Sequence, residues 1–155
     1  MNDQTSNPAL AFTRTQLESN LHWVSILLRL TIGSLFLGAA LVKTPMGISG
    51  VVAYYSSLLH DSLLPGFLVR THATVILFLE YGMALWLFSG FRLRLAWIAA
   101  SFVLISLAVG MIFAGKYDVA ANNYFYVFLG ALGLLSSPFD RWVLPRTSNS
   151  APRPS

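Results

Sequence analysis

The sequence predicts an all-α integral membrane protein: a bundle of four transmembrane helices with a short amphipathic or re-entrant helix between the first and second. Three observations carry this reading. Of 155 residues, 55% are apolar and only 10% charged, against roughly 45–50% and about 25% in a typical globular chain, and the mean hydropathy is +0.64. The apolar residues gather into four runs, each near the roughly 20 residues that a bilayer crossing needs. Turn-forming residues such as Thr44-Pro45, Ser89-Gly90 and Ser136-Ser137-Pro138 punctuate those runs. Cysteine is absent, which excludes disulfides, thiolate metal sites and thiol exchange by this chain. The formal net charge is +4, but the basic residues stand singly among apolar runs. They read as topology signals and headgroup contacts, so the expected partner is the lipid bilayer and not nucleic acid.

Residues 1–21 form a polar tail that lacks the apolar core of a cleaved signal peptide. The membrane domain covers residues 22–143, with spans expected at 23–42, 71–88, 95–114 and 123–135. Trp23 opens the first as an interfacial aromatic, and Arg29 is its one internal charge. The second carries Glu80 and closes at Ser89-Gly90, the third carries no charge, and Tyr124, Phe125, Tyr126 and Phe128 crowd the entrance of the fourth. Residues 144–155 are rich in Pro and Ser and are expected to be disordered. Between the first two spans, Ile48 to Leu59 is too short to cross. Ile48, Val51, Val52, Tyr55, Leu58 and Leu59 recur at helical spacing opposite Ser49, Ser56, Ser57 and His60. That pattern describes a helix lying in the interface or folding back over the bundle; a crossing there would instead make five spans. With four spans, one side collects Arg14, Arg92, Arg94, Arg141, Arg146 and Arg153, and the other Lys43, Arg70 and Lys116. The positive-inside rule then puts both termini in the cytoplasm.

The bilayer argument singles out Arg29 and Glu80, because an ionisable group within a span costs about 2.5–3.5 kcal/mol even on the lenient insertion scale. Their expected depths differ by roughly 5 Å, so the sequence predicts an Arg29–Glu80 ion pair. Such a pair either fixes helix register or serves chemistry in which Glu80 exchanges a proton or hydrogen-bonds a polar ligand group. Lys43 follows Arg29 on nearly the same helical face. Arg29, Gly33, Phe36, Ala40 and Lys43 therefore form one inward stripe, although Lys43 can equally snorkel to the interface.

Asn122 and Asn123 either cap the fourth helix or face the same pocket as Lys43, capping being the more ordinary role. Tyr54 and Tyr55 stack on a quinone ring or belong to an aromatic belt. His60, Asp61 and His72 match no metal-ligand spacing, and no metal is expected. His22 and His72 open their spans from opposite faces, which disfavours a bis-histidine haem. No phosphate-binding loop, dinucleotide fingerprint or nucleophile elbow is present.

Arg29, Gly33 and Phe36 in the first span, Lys43 at its end, Leu64-Pro65-Gly66 in the link, Glu80 in the second span, then Gly90 with Arg92 and Arg94: this order resembles the DoxX family of small four-helix membrane proteins. The likeness covers roughly residues 25–138. It implies a bundle in the bacterial cytoplasmic membrane, related to the DoxD-type subunit of thiosulfate:quinone oxidoreductase and to the methylamine-utilisation protein MauE. Electron delivery to membrane quinone is the theme of relatives with an assigned activity, and Arg29, Lys43 and Glu80 match the family's polar positions. The resemblance implies a membrane subunit of a quinone-linked oxidoreductase, with no covalently bound cofactor and with membrane or periplasmic redox subunits as partners. Glu80 and Arg29 would then be the catalytic residues. Lys43, Tyr54, Tyr55, Asn122 and Asn123 would bind the ligand.

The other class of reading is a non-catalytic assembly or chaperone subunit. Gly130, Ala131 and Gly133 of the fourth span, with Ala99, Ser106 and Gly110 of the third, would dock a larger complex or serve packing within the bundle. A transporter would show repeat symmetry and more than one charged span along a path, neither of which is visible here.

Overall fold

The computed structural model describes residues 8–60 and 62–143, with side chains from residue 13 onward. Among these residues the fold is entirely helical. In chain order it comprises α1 (Pro8–Lys43), a 3-10 turn (Thr44–Met46), α2 (Gly47–Leu58), α3 (Gly66–Ser89), α4 (Leu93–Phe113), α5 (Tyr117–Ser136) and a second 3-10 turn (Ser137–Phe139). Four helical segments are long and apolar enough to cross a membrane. These are the ones containing α1, α3, α4 and α5.

Several boundaries differ from expectation. Residues 8–21 of the polar stretch are helical and continuous with the first span, since α1 begins at Pro8. Its 36 residues would span about 54 Å at 1.5 Å per residue, far more than the roughly 30 Å hydrocarbon core, so the first turns project beyond the bundle. Exposed Arg14 and Glu18, one helical turn apart, pair at 3.1 Å on that projection. The third helix starts at Gly66, just after Pro65, which carries the extended backbone of a residue preceding a helix. Helix α5 starts at Tyr117, six residues before the expected start of the fourth span at 123. Gly115 turns the chain with φ +68°, and Asp118 lies in the first turn, where the helix dipole favours a negative charge. The expected disorder of residues 144–155 and the placement of Asp61 lie outside the described residues.

Two apolar clusters form the interior. One joins Ile32 and Phe36 of α1 to Met83, Ala84 and Leu87 of α3 and to Leu93, Trp97, Ala100 and Leu104 of α4. The other joins Val51 and Tyr55 of α2, with Leu59, to Val69, Ala73 and Ile76 of α3. The short helix α2 therefore turns its apolar stripe onto α3, although Ile48 at its start stays exposed. Small residues set the tightest approaches. A Cβ on Gly33 would meet the Phe88 ring at 2.5 Å, and one on Gly130 would meet Ser101 Oγ at 2.7 Å. Gly133 lies directly under the fully buried Trp97 ring. Gly130 and Gly133 thus pack α5 on α4 and are not free for a partner.

Outside, the bundle shows large apolar side chains on every long helix: Leu27, Leu30 and Leu41 on α1, Phe78 and Leu85 on α3, Phe102 on α4, and Phe125, Phe128 and Leu135 on α5. Water-soluble proteins seldom expose such continuous apolar surface. An apolar exterior around buried charges is the build of a multi-pass membrane protein.

Candidate ligand site

The inward stripe of α1 places its charges at two different levels of the bundle. Arg29, Phe36 and Ala40 are buried, and Lys43 at the end of the helix is half-buried. Glu80 stands on α3 between Ile76 of one apolar cluster and Met83 of the other, and is only 1% exposed.

The expected Arg29–Glu80 pair is replaced by two other pairs. Lys43 Nζ donates to Glu80 Oε1. Arg29 instead turns toward the C-terminal end of α3 and the segment after α5. Its Nε donates to the Leu87 carbonyl at 2.9 Å and its Nη2 to the Phe88 carbonyl at 2.9 Å. Its Nη1 donates to Asp140 Oδ2 at 3.0 Å and to the Trp142 carbonyl at 2.8 Å. The physical reason is the supply of acceptors. The last turn of a helix leaves carbonyls unpaired, and a guanidinium with five donors is better served there, beside a carboxylate, than by Glu80 alone about two turns away.

Asp140 is the residue that sequence reasoning missed. Its Oδ2 also accepts from Ser25 Oγ at 2.8 Å, and its Oδ1 accepts from the Trp142 backbone N–H at 2.8 Å. Beside it, the Arg141 N–H donates to His22 Nδ1 at 3.2 Å, and the Trp142 ring meets those of His22 and Trp23 edge-on. A signal existed. Arg29 needs an anionic partner, and Asp140 is the acidic residue that follows the fourth span on the same side as Arg29.

The Lys43–Glu80 pair borders a cavity of about 160 Å³ among α1, α3, α4 and α5, walled by Phe36, Leu104, Leu107 and Met111 and also lined by Asn123. Glu80 Oε2 is buried and accepts no hydrogen bond from the described residues. A carboxylate oxygen left in this state in an apolar interior is costly unless a donor reaches it. Lys43 has three N–H donors, of which Glu80 Oε1 takes one. The site can therefore hold a small group that donates to Glu80 and accepts from Lys43.

The remaining candidates divide. Asn123 faces the cavity with Lys43, and its neighbour Asn122 is exposed away from it. Neither caps α5, since both lie past its first turn. Tyr55 is buried against α3 and Tyr54 is half exposed, their rings meeting edge-on at 5.3 Å. His60 lies on the surface in the turn after α2, whereas His72 stands on α3 with Nε2 3.5 Å from Ser106 Oγ. Arg29 is separate from the cavity altogether. No family model, curated protein or solved structure matches this chain.

Proposed function

We propose that this protein is a DoxX-like subunit of a quinone-linked oxidoreductase in the bacterial cytoplasmic membrane, and that it binds the head of a quinone or quinol beside Lys43 and Glu80. The observation that supports this reading most is the unpartnered, buried Glu80 Oε2 at a cavity shared with Lys43 and Asn123. The volume of about 160 Å³ is below the roughly 300 Å³ of a pocket for a whole drug-sized ligand. It suits a ring whose tail continues into lipid.

A quinone held there would supply two-electron, two-proton chemistry, with the electrons exchanged with a partner redox subunit. The chain's own residues bind, orient and handle the proton. Glu80 Oε2 accepts a hydroxyl proton, Lys43 donates to a carbonyl oxygen and holds the carboxylate in place, and the Asn123 amide fixes the ring's orientation. The surrounding leucines and Met111 exclude water. Arg29 has no part in this chemistry; with Asp140 it closes the other end of the bundle. That end, which carries Arg92, Arg94 and Arg141, is proposed to face the cytoplasm.

The test is extraction of quinone from protein purified in mild detergent from its native membrane. Near-stoichiometric quinone is expected, with retention falling about tenfold, equivalent to about 1.4 kcal/mol, in Glu80→Gln. Glutamine keeps the shape but sets an N–H donor against a donating hydroxyl. Quinone-free wild-type protein, or full retention in folded Glu80→Gln, would overturn the proposal.

A further inference from the structure

A second cavity of about 220 Å³ lies between α2, α3 and α4, with Leu59, Leu68 and Val109 among its walls. We propose that this cleft binds a neutral single-headed amphiphile, a long-chain lipid carrying a hydroxyl or carbonyl head, independently of the Lys43–Glu80 cavity.

The polar groups of the cleft have unused hydrogen-bonding capacity. Tyr55 lines it, is only 7% exposed, and its hydroxyl forms no hydrogen bond with the described chain. The hydroxyl is not among the fully buried atoms without a partner, so it is open at the cleft, where lipid in place of water would leave it to gain from an acceptor. Ser106 gives its proton to the Val103 carbonyl at 2.7 Å, which leaves its lone pairs free. His72 approaches Ser106 Oγ only at 3.5 Å, a separation too long for a strong bond. One donor and two potential acceptors thus border an otherwise apolar space.

The chemistry of the walls selects the ligand. Among the described residues no Lys, Arg, Asp or Glu lines the cleft, so a phosphate or carboxylate head would be desolvated with no counter-charge on the described walls. A hydroxyl or carbonyl head costs less to bury and meets the polar atoms present. The cleft is too small for a whole lipid, and its rim runs through exposed Leu68 and Val109 onto the outer faces of α3 and α4. A chain attached to the head can therefore leave between those helices into the bilayer. The short helix α2, which is packed on α3, supplies the third wall and the tyrosine.

The experiment uses the full chain in phosphatidylcholine nanodiscs with a long-chain alcohol bearing a photoactivatable diazirine near its head. Cross-links are mapped by mass spectrometry and competed with unlabelled long-chain alcohol. They are expected to concentrate on α2, the start of α3 and the Ser106–Gly110 stretch. Labelling there should fall about tenfold, equivalent to about 1.4 kcal/mol, in Gly110→Leu. The new side chain fills the cleft, and a Cβ at Gly110 has nothing within 4 Å. Tyr55→Phe keeps the ring packing and should reduce labelling about threefold, equivalent to about 0.65 kcal/mol. Labels spread evenly over the exposed faces of α1 and α5, or labelling unchanged in both variants, would overturn the proposal. So would equal competition by a fatty acid. Quinone retention by Gly110→Leu should remain at the wild-type level, which separates this site from the Glu80 cavity.

Discussion

Arg29 and Asp140 are 111 positions apart in sequence and 3.0 Å apart in space. Through this contact the first membrane helix holds both the end of α3 and the segment that follows α5. Arg29 also donates to two carbonyls at the end of α3, Phe88 and Leu87, the second of which also accepts from the Gly90 N–H. Gly90 makes the approach possible. Its φ is +67°, and a Cβ there would meet Arg29 Nη2 and the Trp142 carbonyl at 2.8 Å each. The buried arginine is thus a closure for one end of the bundle, and the charged pair that borders the cavity is Glu80 with Lys43.

Removing one member of the closure should be costly. In Arg29→Leu the fully buried Asp140 carboxylate keeps Ser25 as a side-chain donor but loses its cation, and breaking a buried pair this way costs about 3–5 kcal/mol. Asp140→Leu should cost a similar amount by stranding the guanidinium. The double variant Arg29→Leu with Asp140→Leu should be more stable than either single one, because no unpaired buried charge remains. Arg29→Leu with Glu80→Leu should show no such recovery. Thermal unfolding in detergent, followed by tryptophan fluorescence and circular dichroism, ranks the four variants.

Packing gives a prediction that does not depend on charge. Gly133 of α5 lies under the ring of Trp97 on α4, so Gly133→Ala must push the helices apart or displace an indole that is 0% exposed. Overpacking of this kind costs typically about 1–3 kcal/mol. Trp97→Phe also removes an N–H that has no partner within the described chain. Gly133→Ala combined with Trp97→Phe should therefore lose less stability than the two single losses added together. The same unfolding assay measures that coupling.

The helices were readable because lipid imposes a simple rule on composition: length and hydropathy located four segments, and helical spacing placed Val51 and Tyr55 of α2 on a buried face. The charge pairing was not readable at the same level. Centred hydropathy runs set Arg29 and Glu80 close in depth, but side chains several ångströms long choose partners by the acceptors available. Those acceptors were two backbone carbonyls at the end of α3 and a carboxylate beyond the fourth span. Backbone carbonyls have no sequence signature, and Asp140 lies outside the apolar runs, two residues past Pro138. Asn123 was legible only as one of two alternatives, because the start of α5 at Tyr117 decides whether it caps the helix or enters the cavity.

The Lys43–Glu80 pair should behave as a unit. Lys43→Met leaves Glu80, already short of one hydrogen bond, without its cation between two apolar clusters. A loss of about 3–5 kcal/mol is expected by the argument for buried pairs. Lys43→Met with Glu80→Leu removes both charges and should recover most of it, since an apolar replacement of similar volume is often neutral or better. The recovered protein should nonetheless retain no quinone. A stable, quinone-free double variant separates the site's chemistry from its part in folding, and a quinone-bearing one would remove the pair from the proposed binding site.

The fold also fixes which segments share a membrane face. Ser25 and Arg29 of α1 contact Asp140 after α5, so the beginning of the first span and the end of the last lie at one end of the bundle. Ser89 precedes Gly90 at that end, whereas Ser57 lies on α2 beyond the opposite end of α1. The chain contains no cysteine, so Ser19→Cys, Ser57→Cys and Ser89→Cys each introduce a single thiol at an exposed position. A membrane-impermeant maleimide applied to intact spheroplasts should label Ser57→Cys, and should label the other two only after permeabilisation. If α2 crossed the membrane, Ser19 and Ser89 would fall on opposite faces and label under different conditions. If the orientation were inverted, both would label in intact spheroplasts while Ser57→Cys did not. The expected pattern follows from four crossings, with the larger group of arginines on the cytoplasmic side.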